Sequence, residues 1–379
     1  MKIFVTGTRG IPDIPGGVEK HCQELYPIIA SLGHDVILST RIPYVSEKKE
    51  SWKGIRLLHT FTSRKKSIEA IIHTFLSVIK ARFYNPDILH VHAIGPGLMV
   101  PFARLLGMKV VVTNHGPDYD RGKWGWAAKT ILRLGEYLGG RYANEVIVIS
   151  EVIRDIVKIR CGRESNLIYN GVPIPVKNHK TEYLDEIGVK KEEYIIAVAR
   201  LVPEKGIDLL VRAFKKLNTE YKLVIAGDAD HETDYSRSIK KMMSEDKRII
   251  HTGYITGEPL NQVFSNARLF VLPSYHEGLP IALLEAMSYG LSVLISDIPA
   301  NKEVELPADR FFKSGDMDDL LNKMEKILPQ RISEIEKRDM ILQIAEKYNW
   351  AKIAEQTIDV YLKASCMSYE TVKKVVRAQ

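Results

Sequence analysis

Two rhythms of apolar and polar positions take turns along this chain. Short β-branched runs stand at residues 2–5, 35–39, 88–91, 109–113 and 145–149. They lack the clean alternation of a half-exposed strand, which suits a parallel sheet covered on both faces. Between them apolar residues recur at helical spacing, as in Val18, Cys22, Leu25, Ile29 and Leu32, and again over residues 68–83. A charged stretch at 177–193, poor in large apolar side chains, reads as an interdomain connection. A second series of runs follows at 194–198, 221–225, 249–252, 269–272 and 292–295, again alternating with helical patterns. Two such series predict an α/β protein of two doubly wound, Rossmann-like domains facing across a cleft, spanning residues 1–175 and 176–354. Ligands are then expected outside the carboxyl ends of the strands, in the cleft.

Composition refines this picture only slightly. With 379 residues, 45% of them hydrophobic, each half can bury its own core. The formal charge of +7 is spread along the chain and suits anionic substrates, nucleic acid or an acidic membrane surface alike. Three cysteines, Cys22, Cys161 and Cys366, match neither a metal spacing nor a disulfide framework, which points to a reducing compartment. No apolar run approaches the ~20 residues of a membrane span, and the opening strand leaves no room for a secretory leader. The expected location is the cytoplasm.

Four constellations stand where a strand hands over to a helix. In TGTRGIPDIPGGVE, Gly7, Gly10, Gly16 and Gly17 leave a bare loop. It is either a tight turn or a seat for phosphate, because bare N–H groups and a helix N-terminus attract anions. Its spacing is not the G-x-G-x-x-G fingerprint. In VARLVPEKGIDLL, Arg200 closes a strand and Lys205 precedes a helix that starts near residue 206. These are solvated surface charges or the two cations that a diphosphate requires. In VLPSYHEGLPIALLEAMSYG, Pro280 and Gly290 suit the two ends of a helix. Glu277 then lies just before the helix, beside the bare N–H groups of Gly278 and Leu279, and Glu285 lies inside it. Such carboxylates form an acidic cap plus a surface residue, or accept hydrogen bonds from two sets of sugar hydroxyls. The apolar surroundings at 281–287 argue that Glu285 has a partner. In VVVTNHGPDYDRGKWGW, His115 follows a strand, as a structural histidine or as one that handles protons near neutrality. Arg121, Lys123, Trp124 and Trp126 behind it shape an acceptor site or dock the loop.

These pieces, in this order, resemble glycosyltransferase family 4, whose members are retaining enzymes of GT-B architecture. The resemblance covers nearly the whole chain. Its most specific part is the pair Glu277 and Glu285 in EGLPIALLEA, supported by PGGVE, NHG, YNGV, ARLVPEKG and VIAGD. Ala199 stands where the family often has glycine. GTRGIP and HGPDYDRGKWG look like a branch found in exopolysaccharide and O-antigen synthesis, with rhamnosyltransferase-like members. The resemblance implies that Arg200 and Lys205 bind the donor diphosphate and that Glu285 binds the ribose. Glu277, with the backbone of Gly278 and Leu279, would hold sugar hydroxyls, and His115 would contact the sugar near its reacting carbon. Gly16 and Gly17 would approach the diphosphate or the acceptor, and the base would rest near Tyr254 and Ile255. The N-terminal domain would take the acceptor and the C-terminal domain the nucleotide sugar. A final helix at about 355–379 would cross back to the first domain.

The reading is therefore a hexosyltransferase moving sugar from a nucleoside diphosphate sugar, UDP favoured, to a saccharide or lipid-linked acceptor, with no metal. Asp228-x-Asp230 and Asp316-x-Asp318 raise a metal-dependent alternative that the cations at Arg200 and Lys205 make unnecessary. A sugar-nucleotide epimerase of the same architecture and a non-catalytic sugar-binding module are further alternatives. Nucleic acid is not an expected partner, because no basic stripe interleaves with aromatics. In RKKSIEAIIHTFLSVIKARFY, residues Ile68, Ile71, Ile72, Phe75, Leu76, Ile79 and Phe83 share one face, with Arg64, Lys65, Lys66, Lys80 and Arg82 around them. That helix either packs its apolar face on its own sheet or lies peripherally on an anionic membrane.

Overall fold

The computed structural model of the chain describes residues 1–45, 49–63, 68–120, 125–178, 180–229 and 231–366. Arg64, Lys65, Lys66, Arg121, Lys123, Trp124, Asp230 and the expected final helix beyond residue 366 lie outside the described residues. The chain divides into two compact units, Met1–Gly171 with the segment from Trp350 onward, and Val172–Asn349.

The first unit runs β1 (Lys2–Thr6), α1 (Gly17–Ser31), β2 (Asp35–Arg41), β3 (Ser51–Trp52), β4 (Ile55–Thr60), α2 (Glu69–Tyr84), β5 (Ile88–His92), α3 (Val100–Leu105), β6 (Val110–Asn114), α4 (Trp126–Tyr142), β7 (Glu145–Val148), α5 (Glu151–Cys161) and β8 (Asn166–Leu167). The second runs α6 (Glu182–Glu186), β9 (Tyr194–Val198), α7 (Ile207–Lys216), β10 (Lys222–Ala226), α8 (Asp234–Ser244), β11 (Ile249–Gly253), α9 (Gly257–Ser265), β12 (Leu269–Leu272), α10 (Ile281–Ser288), β13 (Ser292–Ser296), α11 (Pro299–Lys302), β14 (Phe311–Phe312), α12 (Met317–Ile327) and α13 (Glu334–Lys347). The last helix, α14 (Trp350–Ser365), belongs to the first unit.

The first sheet has the order β3-β4-β2-β1-β5-β6-β7-β8. It is parallel except for β3, which pairs antiparallel with β4. Ile3 of β1 sits opposite Val36 of β2 on one side and Ile88 of β5 on the other. The chain thus builds outward from β1 in one direction, then restarts at β5 and builds in the other. Ile3, Val5, Val36 and Leu38 bury one face under Cys22, Leu25 and Ile29 of α1 and Ile353, Ala354 and Tyr361 of α14. Each such fully buried aliphatic side chain stabilises by about 1.5–3 kcal/mol. Right-handed crossovers put α2 to α5 on the opposite face. Local signals set the helix ends. Ser150 Oγ accepts from Ile153 N–H at 3.3 Å to start α5, and Gly162 (φ 61°) closes it.

Two helices of this face pack differently from what amphipathicity suggests. In α2 the buried residues are Glu69, His73, Thr74, Ser77, Val78 and Ala81, while Ile71, Ile72, Leu76 and Ile79 of the apolar stripe are only half-buried, and Ile68, just before the helix, Phe75 and Phe83 are exposed. A polar network explains the displacement of the stripe: Ser39 Oγ lies 2.8 Å from Ser77 Oγ and 3.2 Å from His73 Nε2, drawing that side inward. In α4 the inward side is glycine. A Cβ on Gly135 would run into the Ile94 carbonyl, and one on Gly139 would lie 3.2 Å from Gly97 Cα. Only the bare backbone allows this approach.

The second sheet is wholly parallel, in the order β11-β10-β9-β12-β13-β14, and its direction of growth reverses between β9 and β12. Ile195, Ala197, Leu210, Phe214, Leu223, Ile225, Leu269 and Leu294 fill one of its cores. The stretch 177–193 is part of this unit rather than a bare connection. It carries α6 with Leu184 buried, and its backbone is tied down by Asn178 N–H to Ser265 Oγ (2.9 Å) and Tyr183 N–H to Gln262 Oε1 (3.0 Å). One apolar anchor and side-chain acceptors on α9 are enough to order a charged segment. Among the described residues no helix is long and apolar enough to cross a membrane.

Candidate active site

Each sheet has one place where adjacent strands send their chains in opposite directions, and open α/β sheets bind ligands there. In the first unit this is the junction of β1 and β5. Gly7 (φ 100°) lets the loop lie flush on the end of β5, because a Cβ there would meet the His92 carbonyl. The loop is clamped by Glu19, in the first turn of α1. Its Oε1 accepts from Arg9 N–H (3.0 Å), Arg9 Nε (3.1 Å) and Thr8 Oγ1 (3.3 Å), and its Oε2 accepts from Arg9 Nη2 (3.2 Å). Arg9 Nη2 also donates to the Pro15 carbonyl. Burial pulls the Glu19 carboxyl up, but the charge and hydrogen bonds of Arg9 outweigh it and hold the group below its ordinary value. Gly16 (φ 146°) precedes α1, and a side chain there would collide with the Arg9–Glu19 pair. Gly17, by contrast, faces open space.

Beside this loop buried His21, His90 and His92 cluster with half-buried His115. His115, after β6, places Nε2 3.0 Å from His92 Nδ1. His92 Nε2 lies 2.5 Å from Tyr26 Oη, which lies 2.8 Å from His90 Nδ1. Tyr361 Oη of α14 lies 2.7 Å from the same His90 nitrogen, and Thr113 Oγ1 lies 2.7 Å from His90 Nε2. His21 packs edge-on against His115, with 5.0 Å between ring centres, and its Nδ1 lies 2.9 Å from Asn170 Oδ1. Burial lowers every one of these imidazoles, His21 to about 4 and His90 to about 3, with His92 and His115 well below the usual range. They are therefore neutral at physiological pH. One ring nitrogen each of His21, His92 and His115 lies within 4.8 Å of the others, close enough to hold an ion, although both nitrogens of His92 already have partners. A second network supports His115 from behind. Asn114 Oδ1 accepts from Gly116 N–H (2.9 Å), and Glu136 receives Asn114 Nδ2 (3.4 Å), Tyr119 Oη (3.1 Å) and Arg160 Nε (3.0 Å).

In the second unit the junction lies between β9 and β12. Arg200 follows β9, and Lys205 ends the turn into α7. Gly206 (φ 62°) allows this turn to touch the end of β12, because a Cβ would strike the Pro273 carbonyl. Tyr275 N–H donates to the Glu204 carbonyl at 2.9 Å, joining the two loops. Lys205 Nζ and Glu277 Oε1 form an ion pair, and Ser274 Oγ donates to the same oxygen at 2.7 Å. Both charged side chains are largely buried. Gly278 and buried Leu279 lead into α10, where Glu285 is half-buried with Tyr289 one turn on. The structure thus brings together Lys205, Glu277, Gly278 and Leu279, with Arg200 on the same loop as Lys205. Exposed Tyr254 and half-buried Ile255 follow β11, the edge strand two places from β9. Gly16, Gly17 and His115 stand at the corresponding junction of the other unit. Asp228 is paired with Lys240 at 2.8 Å, and Asp316 caps α12 by accepting from Asp319 N–H at 3.1 Å.

Sequence reasoning missed Glu19, His21, Tyr26, His92 and Asn170 as site-shaping residues. One signal was available. His90 and His92 alternate along a strand and so share a face.

Residues 15–174 match the family described as Glycosyltransferase Family 4, and residues 180–348 match Glycosyl transferases group 1. Both halves of the chain thus match glycosyltransferase families, and the fold is the two-domain α/β fold of GT-B glycosyltransferase structures. An uncharacterized glycosyltransferase of Methanocaldococcus jannaschii, MJ1607, is 26% identical over 95% of this chain and 98% of that protein. The UDP-Gal:alpha-D-GlcNAc-diphosphoundecaprenol alpha-1,3-galactosyltransferase of Escherichia coli is 27% identical over 78% of this chain and 80% of its own length. Among solved structures, sucrose-phosphate synthase from Thermosynechococcus elongatus superposes with a TM-score of 0.82 at 20% identity, covering 95% of this chain and 98% of that one.

Proposed function

We propose that this protein transfers a sugar from a nucleoside diphosphate sugar, UDP favoured, to a hydroxyl of a saccharide or lipid-linked saccharide, with retention and without a metal. The observation that carries the reading is the Lys205–Glu277 pair at the β9–β12 junction, next to Arg200 and the start of α10. Glu277 holds the ammonium of Lys205 in place, so that a diphosphate arriving beside it meets an oriented cation. Arg200 adds a planar fork for phosphate oxygens. As the bond from the sugar's anomeric carbon to the diphosphate oxygen breaks, both cations and the N–H groups of Gly278 and Leu279 face the charge that collects on the leaving group. The acceptor oxygen bonds to the same face of the sugar, and its proton passes to a leaving phosphate oxygen. Glu277 and neutral His115 orient sugar hydroxyls, Glu285 the ribose, and Tyr254 and Ile255 border the base. The Escherichia coli relative, whose name states a UDP-sugar donor and a lipid diphosphate acceptor, supports the donor class and a lipid-linked acceptor; the role proposed for the transfer is in cell-surface polysaccharide or glycoconjugate synthesis.

The test is a panel of nucleotide sugars scored by binding and by slow hydrolysis, with and without chelator. Arg200→Ala and Glu285→Ala each remove hydrogen bonds with a charged group, worth about 1.5–3 kcal/mol, and are expected to weaken donor binding about 10- to 100-fold. Unchanged affinity in both variants would move the donor site elsewhere, and loss of activity in chelator would restore a metal to the mechanism.

A further inference from the structure

Helix α4 is built inside out. Gly135, Gly139 and the carboxylate of Glu136 face the body of the unit with half-buried Leu132 and Leu138, while Trp126, Ile131, Leu134, Tyr137 and Tyr142 are left exposed. Trp126, Arg133, Leu134, Tyr137 and Arg141 follow one another at helical spacings that keep them on one side. Trp126 is 84% exposed, Leu134 49% and Tyr137 44%, with Ile131 and Tyr142 exposed beside them. A surface helix ordinarily turns such residues inward. Charge on α4 is equally one-sided. Its cations are Lys129, Arg133 and Arg141, and its one acidic residue, Glu136, is buried against Arg160. The same face of the sheet adds exposed Arg104 and Leu105 at the end of α3 and Arg82 and Phe83 at the end of α2.

We infer that the outward face of α4 docks on an anionic lipid bilayer. Aromatic rings at both ends, aliphatic side chains between them and cations without acids suit the headgroup boundary. The rings and aliphatic groups enter the apolar edge while lysine and arginine reach lipid phosphates. A second copy of this chain is a poor occupant, because a two-fold contact through this face would set cations against cations. The inference rests on the glycosyl-transfer reading only for its purpose, to bring the enzyme to a lipid-linked acceptor. Adsorption itself needs no substrate.

The experiment is flotation of the full chain with vesicles of phosphatidylcholine plus phosphatidylglycerol, against phosphatidylcholine alone. The chain is expected to float with the anionic vesicles only, to be released by salt, and to show a blue-shifted tryptophan emission that Trp126→Phe diminishes. Arg133→Ser with Arg141→Ser should weaken partitioning roughly 30-fold. Trp126→Ser with Leu134→Ser should weaken it independently of salt. Because these side chains are exposed, circular dichroism should match wild type for both double variants, and nucleotide release from a UDP-sugar without vesicles should match wild type for Arg133→Ser with Arg141→Ser. Absence of flotation, equal flotation of the variants, or a dimer in solution that Leu134→Ser dissociates would each overturn the inference. A vesicle-bound chain without transferase activity would leave docking standing and remove the transfer reading.

Discussion

Replacing Glu19 with glutamine tests how the loop at the β1–β5 junction is held. The carboxylate accepts four hydrogen bonds, three from Arg9 and one from Thr8, at 3.0 to 3.3 Å. Its side chain is 8% exposed and that of Arg9 17%. Glutamine keeps the shape, but an NH2 group then faces the guanidinium, and Arg9 loses its counter-charge. Breaking a buried pair from one side costs about 3–5 kcal/mol. Arg9 keeps the Pro15 carbonyl and some water, which reduces the expected loss to about 2–4 kcal/mol. In a unit of this size about 3 kcal/mol lowers the unfolding midpoint by roughly 6–12 °C. The deficit must also depend on pH. The folded carboxyl lies below its ordinary value of 4.5, so the stability it supplies is complete above that pH and disappears as pH falls through the folded value. Wild type and Glu19→Gln should therefore differ at pH 7 and converge in acid. Calorimetry at both conditions, with hydrogen exchange over residues 7–17 to localise the change, measures this. An unchanged midpoint at neutral pH, or a deficit of the same size at every pH, would refute the clamp.

Three further expectations follow from the first unit. His21 is neutral when folded and titrates near 6.5 when unfolded, so the unfolded chain binds the extra proton between pH 6.5 and about 4. Stability from its burial is full above pH 6.5 and is lost on acidification toward 4; His21→Gln should flatten that limb by up to one proton, and an identical slope in the variant would rule the histidine out. Gly135→Ala should destabilise by about 1–3 kcal/mol even though alanine favours helix, because its Cβ meets the Ile94 carbonyl. Gly17→Ala, with open space around it, should be neutral or slightly stabilising in the same thermal melts.

Periodicity alone supplied the strand–helix alternation, the two series and the strand ends that carry Lys205, Glu277 and His115. Ten of the strands lie within a residue or two of where the apolar runs place them, because each run is long enough to declare itself. The short β3, β8 and β14, and β4 just beyond a polar loop, did not stand out, since pairing with a neighbour strand is what makes them strands. Glu277 and Lys205 were legible as charges at strand ends. That they neutralise one another was not, since 72 residues separate them and only the β9–β12 adjacency brings them together.

The sequence by itself determined where the ten longer strands lie and which residue types sit at their ends, because those depend on neighbours a few positions away. Tertiary structure alone decided which side of α2 and α4 turns inward. An apolar stripe shows that a helix has two faces, but glycines that admit a bare backbone, and serine and histidine groups that find partners, outcompeted that stripe for the sheet. The same holds for the histidine cluster. His21, His92 and His115 come from three separate elements, and their shared neutrality arises only once all of them are taken out of water together.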